Sequence, residues 1–256
     1  MKRAVDYEQL SKEISNCFKP GISTNCTLSA DSMKELIAKK QLWYYSWDGG
    51  LLLFIENGDI FSLYYYLLDD KVLPALSWPK KVVLEIPFRP KADRSIISFW
   101  EKIGFKNMFT RVRLVHTTQE LEKQVEIPSR VEAQEAYSLL LSCFDVDTGC
   151  IPSVEQLEKD AMNGLLLSRR DKEGQLIALL QVQPKRRVAE LHHLAVLPEY
   201  RGEGLAKALI QEFIECFGDK TLQLWVREDY AVARHIYEKN GFCPDGWTSE
   251  VMIRKG

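Results

Sequence analysis

The chain has 256 residues, of which 46% are hydrophobic and 27% are charged, and its formal net charge is −2. This composition predicts a globular protein with one large domain or two smaller ones. The near-neutral charge argues against a protein held to nucleic acid by electrostatics, and no run reaches the roughly 18 apolar residues of a membrane span. We therefore expect a cytoplasmic protein without a nucleic-acid or membrane partner.

The first half of the chain carries strand and hairpin signals. Gly50–Leu53 opens a hairpin that turns near Gly58, and a further strand is predicted at Lys81–Ile86. Two aromatic-rich runs, Leu42–Trp47 and Phe61–Tyr66, either line a substrate cleft or form the core of a sheet, and the core interpretation is favoured.

The second half alternates helix and strand patterns. Helices are predicted over about Arg130–Cys143 and Ser153–Met162, and the second has the capping-box arrangement, with Ser153 as N-cap and Gln156 at the third helical position. Strands are predicted at residues 165–168, 176–183 and 188–196, with a turn at 184–187.

Two short patterns recur, in the same order, in both halves. Phe99–Phe105 and Ile236–Phe242 share an aromatic residue followed by Glu-Lys-x-Gly-Phe, and Gly50–Leu53 recurs as Gly164–Leu167. In both copies of the first pattern the glycine stands just past the end of a predicted helix, and a short strand follows.

These matches favour two related α/β halves over two unrelated ones. The first copy is shorter by about the length of the turn and helix that follow Tyr200 in the second. We interpret residues 1–118 as a degenerate copy without that segment and residues 119–256 as the complete one. The predicted linker is Thr117–Ser129.

Six cysteines are present, with no Cys-x-x-Cys pair and no histidine at zinc-finger spacing. We expect reduced, mostly buried thiols and no metal site. A catalytic cysteine stays open as an alternative, although no position is singled out.

The strand that ends at Val196 leads through a glycine turn directly into a helix that ends at Gly218. The first turn of a helix has unpaired N–H groups and a partial positive charge, so this geometry suits a pyrophosphate. Small residues, which let a ligand approach the backbone, and basic residues, which add charge, occupy the turn: Gly202, Gly204, Ala206, Arg201 and Lys207.

The run Arg201-x-x-Gly204-x-Ala206, after Leu194–Tyr200, resembles the pyrophosphate-binding motif of the GNAT superfamily of N-acetyltransferases. The run Ala233–Phe242 resembles that family's closing motif. The resemblance covers Arg130–Gly256 and reaches the first half only through the repeat. It implies an α/β GNAT fold with a mixed sheet, in a tandem arrangement whose N-terminal copy lacks the pyrophosphate loop.

The resemblance also implies an N-acetyltransferase that moves an acetyl group from acetyl-CoA to a primary amine by direct attack in a ternary complex. Acetyl-CoA would lie where the parallel strands Glu190–Val196 and Leu222–Val226 separate, and an N–H near Leu194 would stabilise the thioester oxyanion. Tyr230 stands where the family often has asparagine, so a contact made by that amide is not expected. The implied coenzyme-binding residues are Leu194, Ala195, Val196, Arg201, Gly202, Glu203, Gly204, Leu205, Ala206, Lys207 and Tyr230.

Tyr237 matches the family's thiolate-protonating tyrosine, and its alternative role is that of a core aromatic. The counterpart in the first half is Trp100, which cannot donate a proton in this way. An acid is useful because the leaving thiolate, with a pKa of roughly 8.5, benefits from protonation.

A base is needed as well, because an ammonium group of pKa about 10 is no nucleophile at neutral pH. Glu190 matches the position of a general base in several family members, and its alternative role is that of a solvated or ion-paired residue. Strand alternation predicts Glu190, His192 and Leu194 on one side of the strand, with Leu191, His193 and Ala195 on the other. His192 is therefore a second candidate base, or a polar residue that lines the cleft.

Two other functions stay open. A non-catalytic acyl-CoA sensor would keep the Arg201–Ala206 loop and lose the acid and base, and the presence of Tyr237 argues against it. A transferase that uses aminoacyl-tRNA is disfavoured by the near-neutral charge and the intact loop. No sequence feature identifies the acceptor amine (a small molecule, an amino acid or a peptide N-terminus), the acyl chain, or whether the protein is a monomer or a homodimer.

Overall fold

The computed structural model describes residues 1–68, 73–74, 76–78, 80–117 and 131–256. The chain divides into two compact units, Met1–Phe109 with Ser249–Gly256, and Thr110–Thr248. The predicted boundary at residue 118 and, beyond Thr117, the predicted linker lie outside the described residues. Across the described residues no helix is both long enough and apolar enough to cross a membrane.

The first unit is a mixed sheet with helices. The elements are β1 (Lys2–Arg3), α1 (Tyr7–Cys17), β2 (Ser23–Thr24), α2 (Ala30–Ala38), β3 (Leu42–Trp47), β4 (Gly50–Asn57), β5 (Ile60–Leu67), β6 (Lys81–Phe88), α3 (Ser95–Lys102) and the start of β7 (Lys106–His116). Strands β3, β4 and β5 form antiparallel hairpins, β1 pairs antiparallel with β3, and β5 runs parallel to β6 over residues 60–63 and 81–84.

Aromatic side chains fill the core of this unit. Phe61, Tyr65 and Trp100 are buried in one cluster, and Tyr44 and Tyr66 are buried in another. The alternation of buried and partly exposed residues along β5 and β6 is typical of a sheet with packed faces. The core interpretation of the two aromatic-rich runs is confirmed.

The second unit is also a mixed sheet with helices. Its elements are α4 (Ala133–Cys143), α5 (Val154–Met162), β8 (Leu166–Arg170), β9 (Leu176–Pro184), β10 (Val188–Val196), a 3₁₀ turn (Pro198–Tyr200), α6 (Leu205–Phe217), β11 (Thr221–Arg227), α7 (Ala231–Lys239) and the start of β12 (Cys243–Arg254). The sheet has the order β7-β11-β10-β9-β8, and all neighbours are antiparallel except the parallel pair β10–β11. The mixed α/β fold predicted from the sequence is confirmed.

The two faces of the second sheet have different partners. Leu209, Ile210 and Phe213 of α6 pack with Leu191 and Leu224 of the strands on one face. Leu139 and Leu140 of α4 and Leu157 of α5 pack with Leu179 and Ala195 on the other. The helices therefore hold β10 between two apolar layers.

Several local predictions hold closely. The strand predicted at 188–196 is observed over those residues, and Gly104 and Gly241 each follow a helix with positive φ, 99° and 87°. Ser153 Oγ accepts a hydrogen bond from the Gln156 N–H at 3.2 Å, as predicted for an N-cap. The second half of the capping box is wrong, because the Gln156 side chain donates to Asp160 instead.

The cysteines are less buried than the sequence predicted. Cys17 is buried, Cys26, Cys143 and Cys216 are partly buried, and Cys150 and Cys243 are exposed.

Candidate functional site

A β-bulge at His192 shapes the centre of β10. Leu191 is opposite Val182 of β9, and His193 is opposite the next residue, Gln181, so His192 is the extra residue. A bulge reverses the alternation of side chains beyond it. The predicted strict alternation is therefore wrong: His193 lies beside His192, with ring centroids 4.5 Å apart, while Leu194 packs in the α6 cluster.

The parallel strands β10 and β11 separate beyond the bulge. They are paired over residues 188–191 and 221–224, and across the described residues no pairing between them continues toward Val196 and Arg227. On its other edge β10 stays paired with β9 as far as Val196. The backbone of residues 194–196 therefore has one edge available to an extended ligand, as an added strand would use it.

The glycine turn after β10 is an anion-binding geometry. Gly202 and Gly204 have φ of 90° and 82°, and Gly204 is the N-cap of α6. A Cβ at either position would meet nothing within 4 Å, so glycine serves the backbone conformation and leaves open space above the turn. Across the described residues the N–H groups of 202–207 donate no hydrogen bond to the chain. These donors, with the helix N-terminus, fit a pyrophosphate.

Two contacts anchor the turn. The Tyr200 hydroxyl donates to Asp171 Oδ2 at 2.9 Å, which ties the turn to the β8–β9 connection. Arg201 Nε donates to the carbonyl of Val196 at 3.2 Å. The side chains of Arg201, Glu203 and Lys207 are exposed, so the basic charges predicted at this turn are available to a ligand.

Glu190 is a buried carboxylate with three partners. Its Oε2 accepts from Lys185 Nζ at 2.7 Å and from the Gln223 amide, and its Oε1 lies 3.8 Å from His192 Nδ1. Burial by itself raises the pKa of Glu190, but the interactions with His192, Lys185 and Gln223 prevail and lower it to about 2. Glu190 is therefore ionised at all physiological pH values.

His192 is partly exposed beside that carboxylate, with 24% of its side chain accessible. The 3.8 Å separation is an ion-pair distance and longer than a hydrogen bond. His192 thus has an accessible imidazole next to a fixed negative charge.

Tyr237 is buried in the α6 cluster, and its ring meets Phe242 at an angle of 67°. Burial raises the pKa of Tyr237 above its ordinary value, so the phenol keeps its proton. Both predicted roles, proton donor and core aromatic, are compatible with this position.

Tyr230 is the N-cap residue of α7 and is 53% exposed. The guanidinium of Arg227 stacks on its ring at 4.3 Å. Tyr230 therefore presents an aromatic surface at the end of β11, where an asparagine would present an amide.

Sequence reasoning missed three polar residues of this region. Lys185 and Gln223 hold the Glu190 carboxylate, and Gln181 binds His193. A signal existed for Gln181, which is the one amide in an otherwise aliphatic run of β9, Leu176–Val182. Lys185 lies in the turn predicted at 184–187, and its pairing with Glu190 follows only from the register of the hairpin.

The site combines splayed parallel strands with an unpaired helix N-terminus on a mixed α/β fold. Residues 133–242 match the model of the Acetyltransferase (GNAT) family. The matched segment is less than half of the chain and contains β10, the glycine turn and α6. The mixed α/β architecture is consistent with the GNAT fold.

Individual relatives agree with this result. The chain is 39% identical over 61 residues to an uncharacterized N-acetyltransferase of Methanocaldococcus jannaschii, and 30% identical over 89 residues to another of Archaeoglobus fulgidus. These matches span 23% and 28% of this chain, and 27% and 60% of the two relatives. A GNAT-family acetyltransferase from Colwellia psychrerythraea has a similar structure, with a TM-score of 0.58 and 13% identity over 100% of this chain and 99% of that one.

Proposed function

We propose that this protein is an N-acetyltransferase that transfers an acetyl group from acetyl-CoA to a primary amine. The observation that carries the proposal is the Gly202–Gly204 turn at the end of a splayed pair of parallel strands. Its N–H groups have no partner among the described residues, and its glycines adjoin open space. Residues 202–207 would hold the pyrophosphate, and residues 194–196 would pair with the pantetheine arm. Bound there, acetyl-CoA supplies an activated thioester to the acceptor amine.

His192 is the better base of the two candidates. A carboxylate with a pKa of about 2 holds a proton too weakly to draw one from an ammonium group of pKa about 10. His192 is accessible and lies beside Glu190, with His192 Nδ1 3.8 Å from Glu190 Oε1. Glu190 would therefore position the His192 ring, and His192 would take the proton from the amine.

Tyr237 would supply a proton to the leaving thiolate. A phenol that stays protonated is a suitable donor, and its burial next to the apolar face of α6 excludes water from the transfer.

The first half would carry no second coenzyme site. Just beyond the paired part of β5 and β6, the buried Asn25 side chain donates to the carbonyls of Leu63 (3.1 Å) and Glu85 (2.8 Å), and accepts from the Tyr65 N–H (2.8 Å). In this unit a side-chain amide thus uses the backbone groups that a pantetheine amide would need. The described residues between β5 and β6 also contain no helix. These observations support a tandem arrangement with a degenerate first copy.

Calorimetric titration with acetyl-CoA tests the proposal. We expect one molecule bound per chain, and weaker binding by about tenfold or more for Gly204→Ala, because L residues at a φ of 82° are strained by roughly 1–2 kcal/mol and the N–H groups turn away from the ligand. Gly58→Ala is the matched control, since Gly58 also has positive φ (59°) with nothing within 4 Å of the added Cβ. Absence of binding to the unaltered protein at about 1 mM acetyl-CoA would contradict the proposal.

A second candidate is an acyl-CoA sensor, which the low pKa of Glu190 favours because that residue is a poor base. Release of free thiol from acetyl-CoA in the presence of small-molecule amines, amino acids and peptides separates the two. Turnover with any acceptor supports the transferase, whereas binding without turnover across the panel supports the sensor.

A further inference from the structure

A chain of buried hydrogen bonds links four segments of the second unit beside the proposed base. Asp160 of α5 accepts from Gln181 Nε2 at 2.5 Å, Gln181 Oε1 meets His193 Nδ1 at 2.7 Å, and His193 Nε2 meets the carbonyl of Gly149 at 2.7 Å. Asp160, Gln181 and His193 are all buried. This series of hydrogen bonds runs from α5 through β9 and β10 to the connection between α4 and α5.

The orientation of the Gln181 amide sets the direction of these hydrogen bonds. With the amide as placed, both nitrogens of His193 face oxygen atoms, which requires a doubly protonated imidazole. With the amide turned over, Gln181 Oε1 faces Asp160, and a neutral His193 accepts from the Gln181 amide and donates to the Gly149 carbonyl. Burial lowers the pKa of His193 to about 3, which favours the second arrangement.

Gly149, at the end of this series of hydrogen bonds, lies in the α4–α5 connection, which further hydrogen bonds hold in place. Gly149 N–H donates to the carbonyl of Asp145 at 2.7 Å, and Asp145 Oδ1 accepts from the N–H and hydroxyl of Thr148 at 2.9 Å. Arg111 Nη2 donates to the Thr148 carbonyl at 2.7 Å. A Cβ at Gly149 would lie 2.4 Å from the Asp145 carbonyl oxygen, so this tight turn requires glycine.

His193 connects this turn to the proposed base. Its ring packs edge-on between those of His192, at 4.5 Å, and Phe144, at 4.9 Å. The bulge brings the two histidines side by side, and the hydrogen bonds to Gln181 and Gly149 prevent His193 from rotating. The α4–α5 turn therefore lies next to His192, on the sheet face opposite the α6 cluster.

We propose that His193 is a positioning residue, which through Asp160, Gln181 and Gly149 fixes the α4–α5 connection and the His192 ring on the side from which the acceptor amine approaches. This inference rests on the proposed function. Because the pyrophosphate turn 202–204 makes no contact in this network, loss of His193 should affect the acceptor and leave acetyl-CoA binding intact.

The test compares His193→Phe, Asp160→Asn and Asp160→Leu in the full chain, by acetyl-CoA titration and by steady-state kinetics with the best acceptor of the amine panel. Phenylalanine keeps the ring and removes both hydrogen bonds. Asparagine keeps the network, because its amide donates to Gln181 Oε1 and its oxygen accepts from Gln156. Asp160→Leu breaks the network at its other end. If His193→Phe does not fold, Asp160→Leu serves as the test in its place.

We expect His193→Phe and Asp160→Leu to raise the acceptor KM by about tenfold or more, with the acetyl-CoA Kd unchanged within about twofold. Asp160→Asn should stay within about twofold of the unaltered protein in both constants. An unchanged acceptor KM in His193→Phe, or an increase in Asp160→Asn as large as that in Asp160→Leu, overturns the inference. Failure of the unaltered protein to bind acetyl-CoA or to turn over instead refutes the proposed function.

Discussion

Replacing Glu190 by glutamine should make the protein less stable at neutral pH and remove part of its acid sensitivity. The pKa of this carboxyl falls from 4.5 to about 2 on folding. At about 1.4 kcal/mol per pKa unit, this shift corresponds to about 3 kcal/mol. Lys185, its ammonium partner, is half exposed, so solvent screening reduces the figure to about 2 kcal/mol.

The sign follows from the direction of the shift. A carboxyl whose pKa is lowered by folding contributes its full stability above the unfolded pKa, near 4.5, and loses it as the pH falls through 2. The difference in unfolding free energy between the unaltered protein and Glu190→Gln should therefore be about 2 kcal/mol at pH 7 and shrink toward zero between pH 4.5 and 2. Urea unfolding, followed by circular dichroism at several pH values, measures this difference.

Glu135→Gln is the control for this experiment. Glu135 also has a basic partner, Arg170, at 2.5 Å, but both side chains are about one-third exposed. An exposed pair contributes only about 0–1 kcal/mol, so its loss should change stability little at any pH. A difference for Glu190→Gln that does not change with pH, or one no larger than that for Glu135→Gln, would refute the account of a buried, ion-paired carboxylate.

Three further variants test other parts of the site. Tyr237→Phe should lower kcat by about a hundredfold with little change in stability, because only the proton donor is lost; an unchanged rate across pH would remove Tyr237 as the acid. Tyr200→Phe should weaken acetyl-CoA binding by about fivefold in a titration, because the hydrogen bond to Asp171 anchors the glycine turn; equal affinity would show that the turn needs no such anchor. Gly241→Ala should destabilise the protein by about 1–3 kcal/mol in thermal unfolding, since φ is 87° and the added Cβ would lie 2.9 Å from the His116 ring; an unchanged midpoint would contradict this clash.

Much of the second half was predictable because its signals are local. The strand at 188–196, the N-cap at Ser153 and the glycine after each Glu-Lys-x-Gly-Phe helix depend on residues a few positions apart. The glycine turn Gly202–Gly204 is of this kind too, since a positive φ is a property of the residue itself.

The bulge at His192 was not predictable, because it exists only in the register between β10 and β9. That one extra residue brings His193 beside His192 and turns Leu194 toward α6, whereas strict alternation predicted the reverse. The acid–base assignment changed for a similar reason. Gln223 reaches Glu190 from β11 and Lys185 reaches it from the β9–β10 turn. Together with His192 they lower the pKa of Glu190 against the effect of burial, which makes it a weak base.

The sequence by itself determined that this chain has a coenzyme-type strand, glycine turn and helix, because backbone conformation there follows from residue type and short-range spacing. Only the tertiary structure decided which side chains meet around that segment, and therefore which histidine is accessible, which is buried, and why Glu190 cannot easily take a proton. Distances between strands fix those electrostatic and hydrogen-bonding environments, and a linear spacing contains no information about them.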